Sequence, residues 1–257
     1  MRLFKACLQP FKALVFVGVF GLASVSASAC DWSFGAKESG SGNIESEARN
    51  VSSFKGVSLS VPAKAEIVQR GSEGVSIETD DNILPLVETI VDNGTLKIRF
   101  KDRNMSVSTK TFKVTINAKT IESLSVAGSG DMNAAKLQSG KLKTSIAGAG
   151  DVRILALDVD SLIVSIAGSG DFSAGGKANS VEAKIAGSGD IKIEKLAANN
   201  VKISIAGSGD ARVWAKDTLT ISVAGSGDVA YYGDAKVSQS VAGSGSVKRL
   251  GNAPAGS

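Results

Sequence analysis

Apolar and polar residues alternate with a period of two over most of this chain. In one representative segment Val201, Ile203 and Ile205 share one parity, and Lys202 and Ser204 share the other. Strict alternation places the apolar side chains on one face of an extended strand, whereas an amphipathic helix needs a period near 3.6. Segments of this kind recur from about residue 48 to residue 250. The pattern therefore predicts an all-β protein whose strands are buried on one face.

The alternation is organised in seven copies of a short repeat. Each copy holds Gly-Ser-Gly-Asp or a one-residue variant, preceded by an alanine and, before it, by Ile or Val. The copies end at Asp131, Asp151, Asp171, Asp190, Asp210, Asp228 and Ser246. Successive ends are 20, 20, 19, 20, 18 and 18 residues apart. A unit this short buries its apolar face only by stacking on the next unit, so the repeat predicts a parallel β-helix-like solenoid with coils of about 18–20 residues.

Two other repeat architectures fit the sequence less well. A β-propeller needs about 40 residues or more per blade, and here one alternation runs through both halves of each copy. Leucine-rich repeats have a Leu-rich consensus with an Asn, which this repeat lacks. The two glycines of each copy fall on the inward parity, which predicts a column too tight for a Cβ atom.

The chain divides into four predicted segments. We predict a signal peptide over residues 1–29, a flexible tether over 30–47, a single solenoid domain over 48–250 and a disordered tail over 251–257. Residues 48–118 alternate but lack the glycine signature, as expected of terminal coils that must end an open sheet. Within them Asp92-Asn93-Gly94 marks a hairpin turn.

The first 29 residues have the order of a secretory signal. Arg2, Lys5 and Lys12 precede an apolar stretch that ends in small residues, as signal peptides do. The apolar stretch is shorter than the roughly 18–20 residues that span a bilayer. The sequence therefore predicts an exported protein without a transmembrane helix.

Cys30 follows directly after the small residues Ala27, Ser28 and Ala29. This arrangement is similar to a lipobox and predicts lipid attachment at Cys30, with the protein anchored at the outer membrane or facing the periplasm, or displayed at the cell surface. Ala27 stands where lipoboxes usually carry Leu. Ordinary cleavage to a soluble periplasmic or secreted protein therefore stays open.

Charge and composition exclude several classes of function. Loss of residues 1–29 would remove three of the 29 basic residues and none of the 25 acidic ones, lowering the net charge from +4 to +1. The basic balance therefore gives no indication of nucleic-acid binding. The chain contains no histidine, which excludes Ser-His-Asp and Cys-His catalysis and the usual zinc sites. We expect no cofactor and no enzymatic activity.

The repeat resembles the head GIN family of auto-transporter adhesins. The resemblance rests on the recurring Val/Ile-Ala-Gly-Ser-Gly-Asp and extends from about Phe54-Lys55-Gly56-Val57 through Val61 and Ile67 to the ladder. It implies a right-handed β-helix-like fold, an envelope location and often a lipoprotein leader. It implies no catalytic residue.

The aspartates that close the repeats are the most regular polar feature. Stacking would place them in one outward column, with like charges close enough to repel. The central members are Asp151, Asp171, Asp190 and Asp210. Either calcium holds the column together, or each carboxylate accepts hydrogen bonds from turn N–H groups and serine hydroxyls. The repeat lacks the Gly-Gly-x-Gly-x-Asp pattern of calcium-binding toxin repeats, so we favour the second interpretation and predict no metal. Counter-charges two residues on are Arg153, Lys192 and Arg212.

Trp214 and Tyr232 break the repeat, each four residues after the aspartate of its copy. Both have outward parity and stand 18 residues apart, which predicts ring-on-ring contact between adjacent coils. Exposed aromatic rings commonly grip sugars, so the pair is the candidate ligand contact, with a glycan, cell-wall material or another envelope protein as partner. The alternative is an aromatic ladder that only stabilises strand pairing.

Three functions follow from these observations. We favour an exported binding or adhesion module of the cell envelope. The alternatives are a purely structural envelope protein without a ligand and, less favoured, a carbohydrate-active enzyme that uses Asp with Arg or Lys.

Overall fold

The computed structural model describes residues 37–254 of the chain. The signal peptide predicted over residues 1–29, Cys30 and residues 255–257 of the predicted tail lie outside the described residues. The described part is almost entirely β-structure, with one turn of 3-10 helix at Leu84–Leu86. Within residues 37–254, no helix is long and apolar enough to cross a bilayer.

The strands, in chain order, are β1 (Lys37–Ser39), β2 (Ile44–Arg49), β3 (Gly56–Ser60), β4 (Lys64–Gln69), β5 (Gly74–Asp80), β6 (Val87–Asp92), β7 (Thr95–Phe100), β8 (Ser106–Ser108), β9 (Lys113–Ala118), β10 (Ser123–Gly128), β11 (Asp131–Gly148), β12 (Val152–Gly168), β13 (Phe172–Gly187), β14 (Ile191–Gly207), β15 (Ala211–Gly225), β16 (Val229–Tyr232), β17 (Lys236–Gly243) and β18 (Val247–Gly251).

Strands β11 to β15 each form most of one coil and pair in parallel with the strands of the neighbouring coils. One row of paired residues runs through Met132, Val152, Phe172, Ile191, Ala211, Val229 and Val247. The prediction of an all-β solenoid with coils of about 18–20 residues is confirmed, and the coils make about six turns. Differences in coil length are absorbed at one corner, where the register shifts after Ile154, Ser173 and Ile193.

The core consists of apolar columns that run through the stack. One such column contains Leu142, Leu162, Val181, Val201 and Leu219. These side chains are 0–3% exposed. Burying each of them stabilises the fold by about 1.5–3 kcal/mol relative to leaving it in water. The alternation of the sequence thus separates the core side chains from the outward-facing ones.

The N-terminal end of the stack is closed by strands that reverse direction. β7 and β6 extend the face that contains β3 and β10, whereas β9, β5 and β2 extend the face that contains β4. The pairs β6–β7, β5–β9 and β2–β5 are antiparallel. The hairpin turn expected between β6 and β7 is present, and Asn93 and Gly94 both have positive φ there.

The predicted flexible tether over 30–47 differs from the structure in its described part. β1 pairs with β8, and β2 pairs with β5. The glycine-rich connection between β1 and β2 is held by Asp80, whose carboxylate accepts hydrogen bonds from the Gly42 N–H, at 2.7 Å, and from the Thr109 hydroxyl. A Cβ atom at Gly40 would overlap the same carboxylate. Gly40 therefore permits close packing of this connection, and β2 pairs with the open edge of β5.

The C-terminal end of the stack replaces core residues by polar ones. β17 and β18 each pair with one strand of the described part, β15 and β16 respectively. The inward row that contains Val213 continues to Tyr231 and then Arg249. The Arg249 Nε donates to the carbonyl of Gly233 at 2.9 Å. Polar groups thus occupy inward positions where the apolar columns stop.

Candidate functional site

The aspartates lie in one column, and a hydrogen-bond ladder connects them. From Asp151 to Asp228, the backbone N–H of each aspartate donates to Oδ1 of the aspartate one coil earlier, over 2.8–3.2 Å. The Asp131 N–H at the start of the column donates to the Ala63 carbonyl. At the last rung the N–H and the hydroxyl of Ser246 both donate to Asp228 Oδ1. Each carboxylate therefore serves as a β-ladder acceptor at a corner where the backbone turns.

Lys192 offsets part of the negative charge in the middle of this column. Its Nζ lies 2.7 Å from Asp171 Oδ2 and 3.2 Å from Asp190 Oδ2. The hydrogen bond to Asp171 raises the pKa of Lys192, and the bond to Asp190 adds to it. Arg153 and Arg212, the other predicted counter-charges, make no ion pair within residues 37–254.

The contacts of the column match the hydrogen-bonding interpretation of the aspartates. Every interior carboxylate from Asp131 to Asp228 uses one oxygen on the next rung. In the described part of the chain, no three acidic, histidine or cysteine side chains are placed to hold a metal ion. The arrangement supplies a continuous structural ladder along the stack.

Trp214 and Tyr232 are directly paired residues of β15 and β16. Both side chains are half-buried. The predicted ring-on-ring contact is not formed: the ring pair in contact within residues 37–254 is Phe100 with Phe112, at 6.2 Å between centroids. Trp214 instead has the Nζ of Lys216 at 5.8 Å from its ring centroid, within the range of a cation–π interaction. Lys216 lies two residues on and has the same outward parity.

The register of strand pairing also decides which residues lie beside Trp214 and Tyr232 on the neighbouring coils. Glu194 and Trp214 each lie four residues after the aspartate of their copy, so equal spacing would pair them. The register shift between β14 and β15 instead pairs Trp214 with Ala197. On the far side Tyr232 pairs with Gly251. The two aromatic residues are therefore flanked in their row by residues with small or no side chains.

A groove that the sequence did not predict lies on the face formed by β3, β7 and β10. Its volume is about 610 Å³, and it is lined by serines of β3, by Lys97 and Arg99 of β7 and by Arg103 of the following loop. No acidic residue lines it. We call it the basic groove. Its one signal in the sequence is the run of basic residues at alternate positions, which ends at Arg103.

Comparisons with known proteins agree on one family. The family model described as "Putative auto-transporter adhesin, head GIN domain" matches residues 53–235. No curated protein matches the chain.

Several solved structures share this fold. A "putative adhesin" from Bacteroides fragilis is 27% identical, with a TM-score of 0.78 over 82% of this chain and 99% of that one. A "putative lipid binding protein" from Parabacteroides distasonis is 27% identical, with a TM-score of 0.69 over 83% of this chain and 99% of that one. A "putative adhesin" from Parabacteroides merdae, at 22% identity and a TM-score of 0.66 over 84% of this chain and 100% of that one, shares the fold.

Proposed function

Because the chain belongs to the head GIN domain family of auto-transporter adhesins, we propose that it is an exported binding module of the cell envelope that attaches to glycans. The similar structures from Bacteroides fragilis and Parabacteroides distasonis are described as an adhesin and a lipid-binding protein. Both descriptions are of binding proteins, which supports a binding role over a catalytic one.

The aromatic pair Trp214 and Tyr232 carries this proposal. Pairing of β15 with β16 brings the two residues together on adjacent strands. Their outer neighbours, Ala197 and Gly251, have small or no side chains, so no large side chain flanks the two rings within their row. Half-exposed aromatic rings on a rigid sheet offer apolar area at little entropic cost, and their polar atoms can hydrogen-bond to hydroxyls. Sugar rings, with apolar C–H faces and hydroxyl edges, suit such a surface.

Truncation of the aromatic ring tests the proposal. We expect Trp214→Ala to abolish binding of the full chain to the uncharged glycans of a glycan array, with a melting temperature close to that of the parent. Leu155→Ala is the matched control, because Leu155 is a large apolar residue that is 68% exposed on the lateral surface. The control should bind like the parent.

The opposite pattern would contradict the proposal. If Trp214→Ala lowers the melting temperature and leaves binding unchanged, the aromatic pair is a stabilising element of the last coils. If the parent binds no glycan or cell-wall material, the structural interpretation without a ligand stands.

The location forms the second part of the proposal. A basic start, an apolar stretch and Cys30 after small residues support export followed by lipid attachment at Cys30. A membrane anchor would keep the solenoid at the cell envelope, where an adhesion module meets its partners.

A further inference from the structure

The basic groove is built from segments that the repeat does not contain. β7 pairs with β3, so Lys97 lies opposite Ser58 and Arg99 lies opposite Ser60. The chain after Phe100 then runs through the loop of residues 101–105 into β8, and Arg103, Met105 and Val107 form one wall of the groove. The loop of residues 101–105 thus borders the otherwise flat face of β3, β7 and β10 on one side.

Lys97 is paired with Asp92 at 2.5 Å, whereas the two arginines of the groove keep guanidinium nitrogens without an acidic partner in the described part of the chain. Glu88 lies on β6, on the side of β7 opposite to β3, and accepts a hydrogen bond from Arg99 Nε at 2.7 Å. Both Nη groups of Arg99 have no partner within residues 37–254. Arg103 is exposed and makes no ion pair in the same range. Two guanidinium groups therefore remain to bind an anion, and guanidinium groups match carboxylates and sulfates in geometry.

The floor of the groove suits a sugar better than an acyl chain or a base. Ser58, Ser60 and Ser129 contribute hydroxyls. The apolar floor residues Val61 and Phe100 are 2% and 7% exposed, so the floor offers little apolar surface to a lipid tail, and the half-buried Met105 and Val107 lie on the wall. The burial of Phe100 leaves no exposed ring on which a nucleobase could stack.

The groove opens onto a path of small side chains. The row that begins with Lys97 continues through Ser58, Ser125, Ser145 and Ser165 before it reaches Lys184. The neighbouring column contains the exposed alanines Ala127, Ala147 and Ala167. At about 4.8 Å per strand, five steps separate Lys97 from Lys184 by about 24 Å. The serine and alanine columns themselves carry no tall side chain between Lys97 and Lys184, and Lys143 and Ile163 stand in the next outward column.

We propose that the basic groove binds an anionic polysaccharide, with a carboxylate or sulfate group held by Arg99 and Arg103 and the sugar chain lying along the serine and alanine columns. The site is separate from the Trp214–Tyr232 pair and does not depend on it. The two arginines select a charged group of the ligand at the groove, and the serine and alanine columns accommodate the rest of the sugar chain.

The test measures affinity of the full chain for polygalacturonate and for dextran sulfate, with neutral dextran as the uncharged probe. We expect the parent to bind one or both anionic polymers, more weakly at higher salt, and not neutral dextran. The double variant Arg99→Gln/Arg103→Gln should weaken binding at least tenfold. The control Arg153→Gln/Arg212→Gln removes the same charge from exposed positions outside the groove and should change affinity less than twofold.

A steric variant tests the path independently of charge. Ala147→Tyr places a bulky side chain on the alanine column and should weaken binding of the polymer while leaving binding of trigalacturonate at the arginines unchanged. Melting temperatures verify that each variant is folded.

Several outcomes would overturn the proposal. They are equal binding of neutral dextran, no binding of either anionic polymer, equal losses in the two arginine double variants, or unchanged polymer binding by Ala147→Tyr. Preferential, Arg99-dependent binding to phosphatidylglycerol vesicles would assign the groove to a lipid headgroup instead.

Discussion

The two glycines of each repeat are required for different reasons. The first, such as Gly187, has φ of +133°, a region that side-chain-bearing residues rarely adopt. The second, such as Gly189, faces the core, where a Cβ atom would lie within 3.0 Å of the Gly170 carbonyl and an Ile166 methyl group. The first glycine is half-exposed rather than buried. The predicted tight column is thus confirmed, but the obstacle is chiefly the backbone of the preceding coil.

Substitution of the first glycine should therefore destabilise the stack. Gly187→Val combines an unfavourable φ with overlap of the Gly168 carbonyl, and we expect a loss of about 3 kcal/mol or more in the free energy of unfolding. The control is Gly140→Val, since a Cβ at Gly140 meets only Asp160 Oδ2 at 3.9 Å. Denaturant or thermal unfolding of both variants measures the difference. Equal stability of the two would contradict this account of the glycine.

At the scale of elements, polar side chains tie the first two strands to the stack: Arg49 donates to the carbonyls of Val87 and Leu84, and Asp80 holds the connection before β2. β2 lies at the edge of its face and is exposed along most of its length, so little apolar burial holds it. Asp80, 3% exposed, ties the connection before β2 to the stack through Gly42 and Thr109. The hydrogen bond from Thr109, followed by that from Gly42, lowers the pKa of Asp80.

Removal of this carboxylate should release the N-terminal strands while leaving the coils intact. We expect Asp80→Ala to increase hydrogen exchange in Ile44–Arg49 by about tenfold or more, since unsatisfied buried groups cost about 1–3 kcal/mol. Exchange in β12 to β14 should stay unchanged, and the exposed Asp160→Ala is the control. Protection of Ile44–Arg49 equal to that of the parent would show that β2 docks without Asp80.

The same contact predicts a dependence on pH. Because the folded-state pKa of Asp80 lies below its ordinary value, its stabilising contribution is fully present above about pH 4. It is lost as the pH falls through the folded-state pKa. Acidification of the parent should therefore reproduce the release seen in Asp80→Ala.

At the scale of the whole molecule, backbone hydrogen bonds between paired strands hold neighbouring coils together, and the end strands terminate the stack. Each coil of the described part contacts only the coils before and after it, as in other solenoids. Lateral surfaces therefore persist along the stack, and extended ligands suit them better than small enclosed ones. The proposed anchor at Cys30 would set the distance from the membrane at which these surfaces act.

The proposed anchor gives a prediction at this scale. In cells that express the full chain, labelled palmitate should enter the protein, and Cys30→Ser should abolish the label and move the protein from the membrane fraction to the soluble fraction. An unlabelled, already soluble parent would favour ordinary cleavage and secretion. The variant leaves the described residues untouched, so binding by the solenoid serves as the internal control.

Sequence reasoning succeeded where each coil repeats its predecessor. The period of 18–20 residues, the inward parity of columns such as Leu142–Leu162 and the aspartate column all follow from local patterns. In a stack of parallel coils, equivalent residues must lie above one another, because each strand pairs with the next coil. Local spacing is then sufficient to give the tertiary neighbours.

Only the tertiary structure decided the features that break the repeat. A three-residue register shift before Trp214 places it opposite Ala197 instead of Glu194, and the Lys216 ammonium group lies 5.8 Å from its ring centroid. The basic groove exists because β7 pairs with β3 across a long stretch of chain and the loop after Phe100 returns over that face. The edge of β5 and the carboxylate of Asp80 order a segment that composition alone would describe as flexible. Each of these features depends on contacts between segments that are distant in sequence, and the periodicity of the sequence does not specify those contacts.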